Sequence, residues 1–137
     1  MNNLVLDACA LLALLRNEPG ADIVAAALNA AVNGEAEIIM NKVNILEVYY
    51  DLYRTLGKDK ADGILAEIKK RPLTINAEIT DEIFEEAGRL KASYKISLAD
   101  SFALAQAKVS DSELLTSDHH EFDPIELTES TVFSWIR

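Results

Sequence analysis

The sequence predicts an α/β fold, a three-layer sandwich in which helices cover both faces of a mostly parallel, five-stranded sheet. Short apolar runs at residues 4–6, 36–40, 73–76, 113–116 and 132–136 are too brief for helices and suit strands. The longer stretches between most of them repeat apolar residues at helical spacing. Alternation of the two patterns is what parallel strands joined by crossover helices produce.

The first run, Leu4-Val5-Leu6, shows no apolar–polar alternation, as expected of a strand buried on both faces. Asp7 ends it, and a helix-forming stretch over residues 8–15 begins at once. Asn17-Glu18-Pro19-Gly20 is a turn cluster. A second helix over 21–33 places Ile23, Val24, Ala27, Leu28 and Ala31 on one face, and its alanines permit close approach to a neighbour. Gly34 ends it. After the second strand, residues 41–44 lead into a third helix carrying Ile45, Val48, Tyr49, Leu52, Tyr53 and Leu56, which stops at Gly57. A fourth helix over 58–70 buries Ala61, Ile64, Leu65 and Ile68. It ends in Lys69-Lys70-Arg71, the charge favoured at a helix C-terminus, and Pro72 closes it. Thr80, followed by Asp81 and Glu82, opens a fifth helix, with Ile83, Phe84, Ala87, Leu90 and Tyr94 inward. Ser97 opens an alanine-rich sixth helix through about Lys108, and residues 132–136 form a short strand at the sheet edge.

At 137 residues, half of them hydrophobic, the chain reads as one globular domain over 1–137 that buries roughly two thirds of its unfolded surface. Thirteen basic against 23 acidic residues give a net charge of −10. That argues against a protein gripping duplex DNA through its phosphates. It leaves room for an enzyme that holds a phosphodiester through divalent cations bound to its own carboxylates. No run approaches the ~18 apolar residues of a membrane span, and no signal-peptide pattern opens the chain. Cys9 is the only cysteine, so an intrachain disulfide is excluded and a cytoplasmic location is expected. Cys9 itself is expected to be a small buried hydrophobe.

Four acids stand at comparable junctions. Asp7 and Asp118 end strands, and Glu47 and Asp100 begin helices near strand C-termini. Each has an ordinary alternative: Asp7 suits an N-cap, Glu47 and Asp100 have capping-box spacing, and Asp118 suits a turn. Together they fall on the sheet edge where open α/β folds bind ligands. Leu46 and Val48 bracket Glu47, and Ala99 and Phe102 surround Asp100, so these acids do not belong to a solvated face. Carboxylates converging without a basic partner call for a cation, and oxygen-only ligands suit Mg²⁺ or Mn²⁺.

Four segments carry a resemblance: Val5-Leu6-Asp7-Ala8-Cys9-Ala10-Leu11-Leu12, Asn44-Ile45-Leu46-Glu47-Val48, Ile96-Ser97-Leu98-Ala99-Asp100-Ser101-Phe102-Ala103-Leu104-Ala105, and Leu115-Thr116-Ser117-Asp118 with Phe122. In order and spacing the chain resembles the PIN-domain ribonucleases, and within them the VapC-like toxins of bacterial toxin–antitoxin pairs. The resemblance implies a PIN-like sandwich and Mg²⁺-dependent (or Mn²⁺-dependent) endonucleolytic cleavage of RNA. Catalytic acids would be Asp7, Glu47, Asp100 and Asp118, with Asp7, Asp100 and Asp118 on the metal. Ser117 or Thr116 would hold a water or phosphate beside them. A cognate antitoxin, contacting the groove around Tyr49, Leu52 and Tyr53, and a homodimer are implied as partners. Many relatives carry a further acid one turn from the third site; here Ser97 and Leu104 flank Asp100, which points to one firmly bound ion.

Other readings are weaker. Phosphatases with an aspartyl nucleophile need a second Asp where this chain has Cys9, and receiver domains pair the pocket with a lysine where it has Ser117-Asp118-His119. A housekeeping RNA-processing nuclease and a non-catalytic PIN-like binding module stand as alternatives to the toxin. His119 and His120 are expected as polar turn surface, and Lys42, Arg54, Lys91 and Lys95 as solvated charges available to phosphate.

Overall fold

The computed structural model describes residues 2–137. In chain order it contains β1 (Asn2–Leu6), α1 (Ala8–Leu15), α2 (Ala21–Val32), β2 (Ala36–Asn41), α3 (Lys42–Leu56) and α4 (Lys58–Lys69). There follow β3 (Thr74–Asn76), α5 (Asp81–Ser93), α6 (Leu98–Val109), β4 (Glu113–Thr116), α7 (His119–Glu126) and β5 (Phe133–Trp135). The strands pair in the order β3-β2-β1-β4-β5, and every pairing is parallel. The expected five-stranded α/β sheet is present.

Side chains alternate across the central strands and build two cores. Leu4 and Leu6 of β1, with Leu115 of β4, enter the core formed with α1 to α4. Val5 and Leu114 enter the other, formed with α5, α6 and α7. β1 is the pivot. The chain leaves it toward β2 and β3 on one side, then returns through α5 and α6 to place β4 on the other. The carboxyl ends of β1 and β4 therefore flank the topological switch point of the sheet, where this class of fold opens a crevice.

Helix α6 lies deepest. Asp100, Ser101, Ala103, Leu104, Ala105, Gln106 and Ala107 are all buried, because small side chains let it press between the sheet, α5 and α3. This close packing is what removes Asp100 from water.

Helix α7 is the element the sequence pattern does not announce. Its eight residues include Pro124, and its leading histidines suit a turn. It forms because Asp118 caps it, accepting the Glu121 N–H at 3.2 Å, and because Phe122 and Ile125 are buried in the second core. Burial of those two side chains contributes roughly 4–5 kcal/mol, which outweighs weak local propensity.

The loop before α2 depends on Gly20, whose φ is +97° and whose absent Cβ would lie 2.7 Å from the Ile136 carbonyl oxygen. Gly20→Ala combines left-handed strain with a backbone clash, and is expected to lower stability by about 2 kcal/mol or more. Gly34→Ala, at φ +75° with open space around it, should cost about 1 kcal/mol. Chemical denaturation of the two variants checks the order.

Candidate active site

Asp7 stands at the end of β1 with no exposed surface. It is the N-cap of α1: Oδ1 accepts the Ala10 N–H at 2.8 Å. Oδ2 accepts a hydrogen bond from the Thr116 hydroxyl at the end of β4. The same hydroxyl oxygen accepts the Asp118 N–H at 3.0 Å, so Thr116 ties the first acid to the last. In this structure Thr116 is the hydroxyl bonded to the acids; Ser117 follows it, half-buried.

Asp100 enters from α6, and its position resolves the capping question. Ser97 is the N-cap and accepts the Asp100 N–H at 3.1 Å. In a capping box the acid would return the favour to the Ser97 N–H. Here Glu121 of α7 accepts that N–H at 3.2 Å, and the Asp100 carboxylate is left for the cluster. Glu47 is likewise no cap, since α3 begins at Lys42 with Asn41 as N-cap, accepting the Val43 N–H at 2.9 Å. Glu47 sits a turn further in, half-buried on the rim.

Asp100, Asp118 and Glu121 each offer a carboxylate oxygen within 4.8 Å of the others. Two of these were expected from sequence. Glu121 was not: it stands three residues after Asp118, a spacing that counts only once residues 119–126 are known to be helical. Asp7 and Glu47 lie outside this tight set but face the same charge. Burial lifts the Asp7 carboxyl to about 7, against the opposing hydrogen bonds from Thr116 and Ala10, with Asp118 and Glu47 adding repulsion. Burial lifts Asp100 to about 9, assisted by a hydrogen bond to Asp118 and by the charges of Asp118, Asp7 and Glu47. Glu47 is also raised, by desolvation first and then by Asp118, Asp51 and Glu121.

Donor chemistry fits a hard divalent cation. Three carboxylates converge with oxygen ligands only. Close by, the Asn44 amide donates to the Ala99 carbonyl at 2.9 Å, while its Oδ1 is buried without a partner. The soft and nitrogenous groups nearby are otherwise engaged. Burial, then Asp7, drives the Cys9 thiol far up, so it stays protonated, although the side chain is half-buried and not the fully buried hydrophobe expected. His119 has both ring nitrogens occupied, by Asp123 and by the Arg137 carbonyl, each at 2.8 Å. Of the basic residues considered for phosphate, Arg54 is paired with Asp51 at 3.0 Å, while Lys42, Lys91 and Lys95 are exposed.

These shifts fix a sign for pH dependence. The folded chain keeps protons at Asp7 and Asp100 that the unfolded chain releases in the ordinary carboxylate range. Their contribution to metal-free stability is therefore fully present at or below the ordinary carboxylate range and is lost as pH rises through about 7 and then about 9. Glu129, held at about 2, acts oppositely but only below that window. Asp100→Asn should raise the melting temperature in EDTA at pH 8, by a stabilisation of about 1 kcal/mol or more, and flatten the profile between pH 5 and 9. A variant that melts lower than wild type at pH 8 would refute the repulsion.

The PIN domain family model matches residues 4–126. No curated protein matches the sequence directly. Solved structures resemble the fold at low identity. VapBC from Salmonella typhimurium bound to DNA superposes with a TM-score of 0.75 at 11% identity, covering 100% of both chains. VapBC2 from Rickettsia felis, bound to a promoter fragment, gives 0.73 at 15% identity over 97% of this chain and 98% of that one. VapC20 from Mycobacterium tuberculosis, a toxin that cleaves the sarcin–ricin loop, gives 0.65 at 12% over 96% and 98%. The matched span takes in β1 with Asp7, α6 with Asp100 and α7 with Glu121, and on it the chain belongs to the PIN domain family.

Proposed function

We propose that this protein is a metal-dependent endoribonuclease, the toxin of a toxin–antitoxin pair. The observation that carries the reading is the convergence of Asp100, Asp118 and Glu121 at the sheet's switch point, with Asp7 and Glu47 beside them. Asp100, Asp118 and Glu121 would hold one Mg²⁺ or Mn²⁺. Such an ion, when bound, supplies charge for a phosphodiester and lowers the pKa of water. The chain's own residues do the rest. Thr116 orients Asp7 and, through the Asp118 N–H, the turn that carries Asp118. Glu47, half-buried with a raised pKa, is the acid on the rim able to take up a proton. Asp7, held by the Thr116 hydroxyl and the Ala10 N–H, stands beside them as a further carboxyl that becomes charged only once its raised pKa is passed.

The antitoxin part of the reading rests on a second face. Leu15, Leu52, Leu56 and Ile64 line a groove of about 520 Å³ between α1, α3 and α4, with Arg16 and Asp51 at its edge. Tyr49 and Tyr53 stand on the same helix as Leu52, their rings 5.9 Å apart. An amphipathic segment laid in this groove can send a basic side chain toward the acids, whose charge attracts it. Several structural neighbours are toxin–antitoxin complexes, which supports an antitoxin partner. A cytoplasmic location suits such a pair, and among the described residues no helix is long and apolar enough to cross a membrane.

Single-stranded RNA cleavage in Mg²⁺ or Mn²⁺, with EDTA as control, tests the activity. Asp118→Asn and Glu121→Gln are each expected to lower kcat at least about a hundred-fold and to weaken Mn²⁺ binding measured by calorimetry. Cleavage that persists in EDTA removes the mechanism, and absence of cleavage with intact Mn²⁺ binding leaves a binding module. Co-expression with the neighbouring gene's product tests the toxin assignment: the two should co-purify and cleavage should cease.

A further inference from the structure

We propose that the ring of His119, backed by Trp135, is a stacking platform for a base of single-stranded RNA beside the acidic site. This inference rests on the nuclease reading and adds how the site grips its substrate. His119 follows Asp118 directly, and its ring lies on Trp135 with centroids 3.8 Å apart and planes 13° apart. Trp135 stacks in turn with Phe133 along β5, at 5.7 Å and 13°, and Phe133 packs on buried Phe122 at 5.3 Å. A row of rings thus runs from the core to the rim. Trp135 is registered with Thr116, whose hydroxyl holds Asp7, and neighbouring strands lie about 4.8 Å apart. The platform is thus joined to the acidic edge through the Thr116–Asp118 turn: Trp135 pairs with Thr116, and His119 directly follows Asp118.

The His119 ring is held on three sides. Asp123 meets Nδ1, the Arg137 carbonyl meets Nε2, and Trp135 covers one face. Yet 46% of the side chain is exposed. With both nitrogens engaged, what the ring offers outward is an aromatic face, already immobilised. A fixed ring loses little entropy on binding, and stacking on such rings is how proteins hold unpaired bases. Charge favours the same solution. With a net charge of −10 the chain has little general attraction for phosphate, and stacking does not need any.

Trp135 is the only tryptophan, so its fluorescence reports on the platform. With Ca²⁺ replacing Mg²⁺, a short single-stranded RNA should quench it, and an abasic oligomer of equal length should quench several-fold less. In cleavage assays His119→Ala should raise KM about five- to ten-fold with kcat held within about two-fold, and His119→Phe should restore KM. Circular dichroism should be unchanged in both. Equal quenching by both oligomers, no quenching by either, an unaltered KM in His119→Ala, or failure of phenylalanine to rescue it would each overturn the platform. A wild-type protein that cuts no RNA would defeat the nuclease reading alone, because the fluorescence titration still decides whether a base stacks.

Discussion

Buried like charge is the constraint to which the rest of this structure answers. Asp7 and Asp100 are both withdrawn from water, and each feels Asp118 and Glu47. Such groups tend to unfold a small domain or take up protons. Here the sheet's switch point brings β1 and β4 together, the Thr116 hydroxyl partly compensates Asp7, and the cap of α1 compensates it further. Asp100 has less relief and is pushed higher. The tension that remains is what the proposed cation would relieve, by supplying the missing positive partner.

Helix α7 completes the arrangement by doing several things at once. Its N-cap, Asp118, is itself one of the converging acids. Its first-turn Glu121 reaches the Ser97 N–H and so takes the role that Asp100 would otherwise fill in a capping box. Its apolar side, Phe122 and Ile125, anchors the whole turn in the second core. Loosening α7 would release Asp100 to cap its own helix, so packing and site chemistry are coupled through one backbone N–H.

The segment between α7 and β5 is tied down by ions. Glu129 accepts from Arg89 at 2.7 Å, from Lys108 at 2.8 Å and from the Tyr94 hydroxyl at 2.6 Å, and Arg89 foremost keeps its carboxyl at about 2. This network joins α5 and α6 to the loop that delivers β5 and with it Trp135. It is the counterpart of the acidic edge: there, the converging carboxylates have no cation among the described residues; here, a nearly buried carboxylate has two.

What the sequence by itself determined follows from local pattern. Leu4-Val5-Leu6, the alternating helices and Gly57 mark the sheet and its crossovers, and the positions of Asp7, Glu47, Asp100 and Asp118 mark one edge of it, because a parallel α/β order leaves the strand ends no other place. What only the tertiary structure decided depends on packing between distant segments. Residues 119–126 became a helix because Phe122 and Ile125 found the second core, against Pro124 and a polar start. Glu121 joined the acids for that reason alone. Thr116 became the bonded hydroxyl because it lies across from Asp7 on the same face of the sheet, a relation set by strand register. The capping alternatives divided in the same way. Asp7 is a cap and a member of the cluster together, whereas Asp100 is freed by Glu121, twenty-one residues later, a contact that no local spacing encodes.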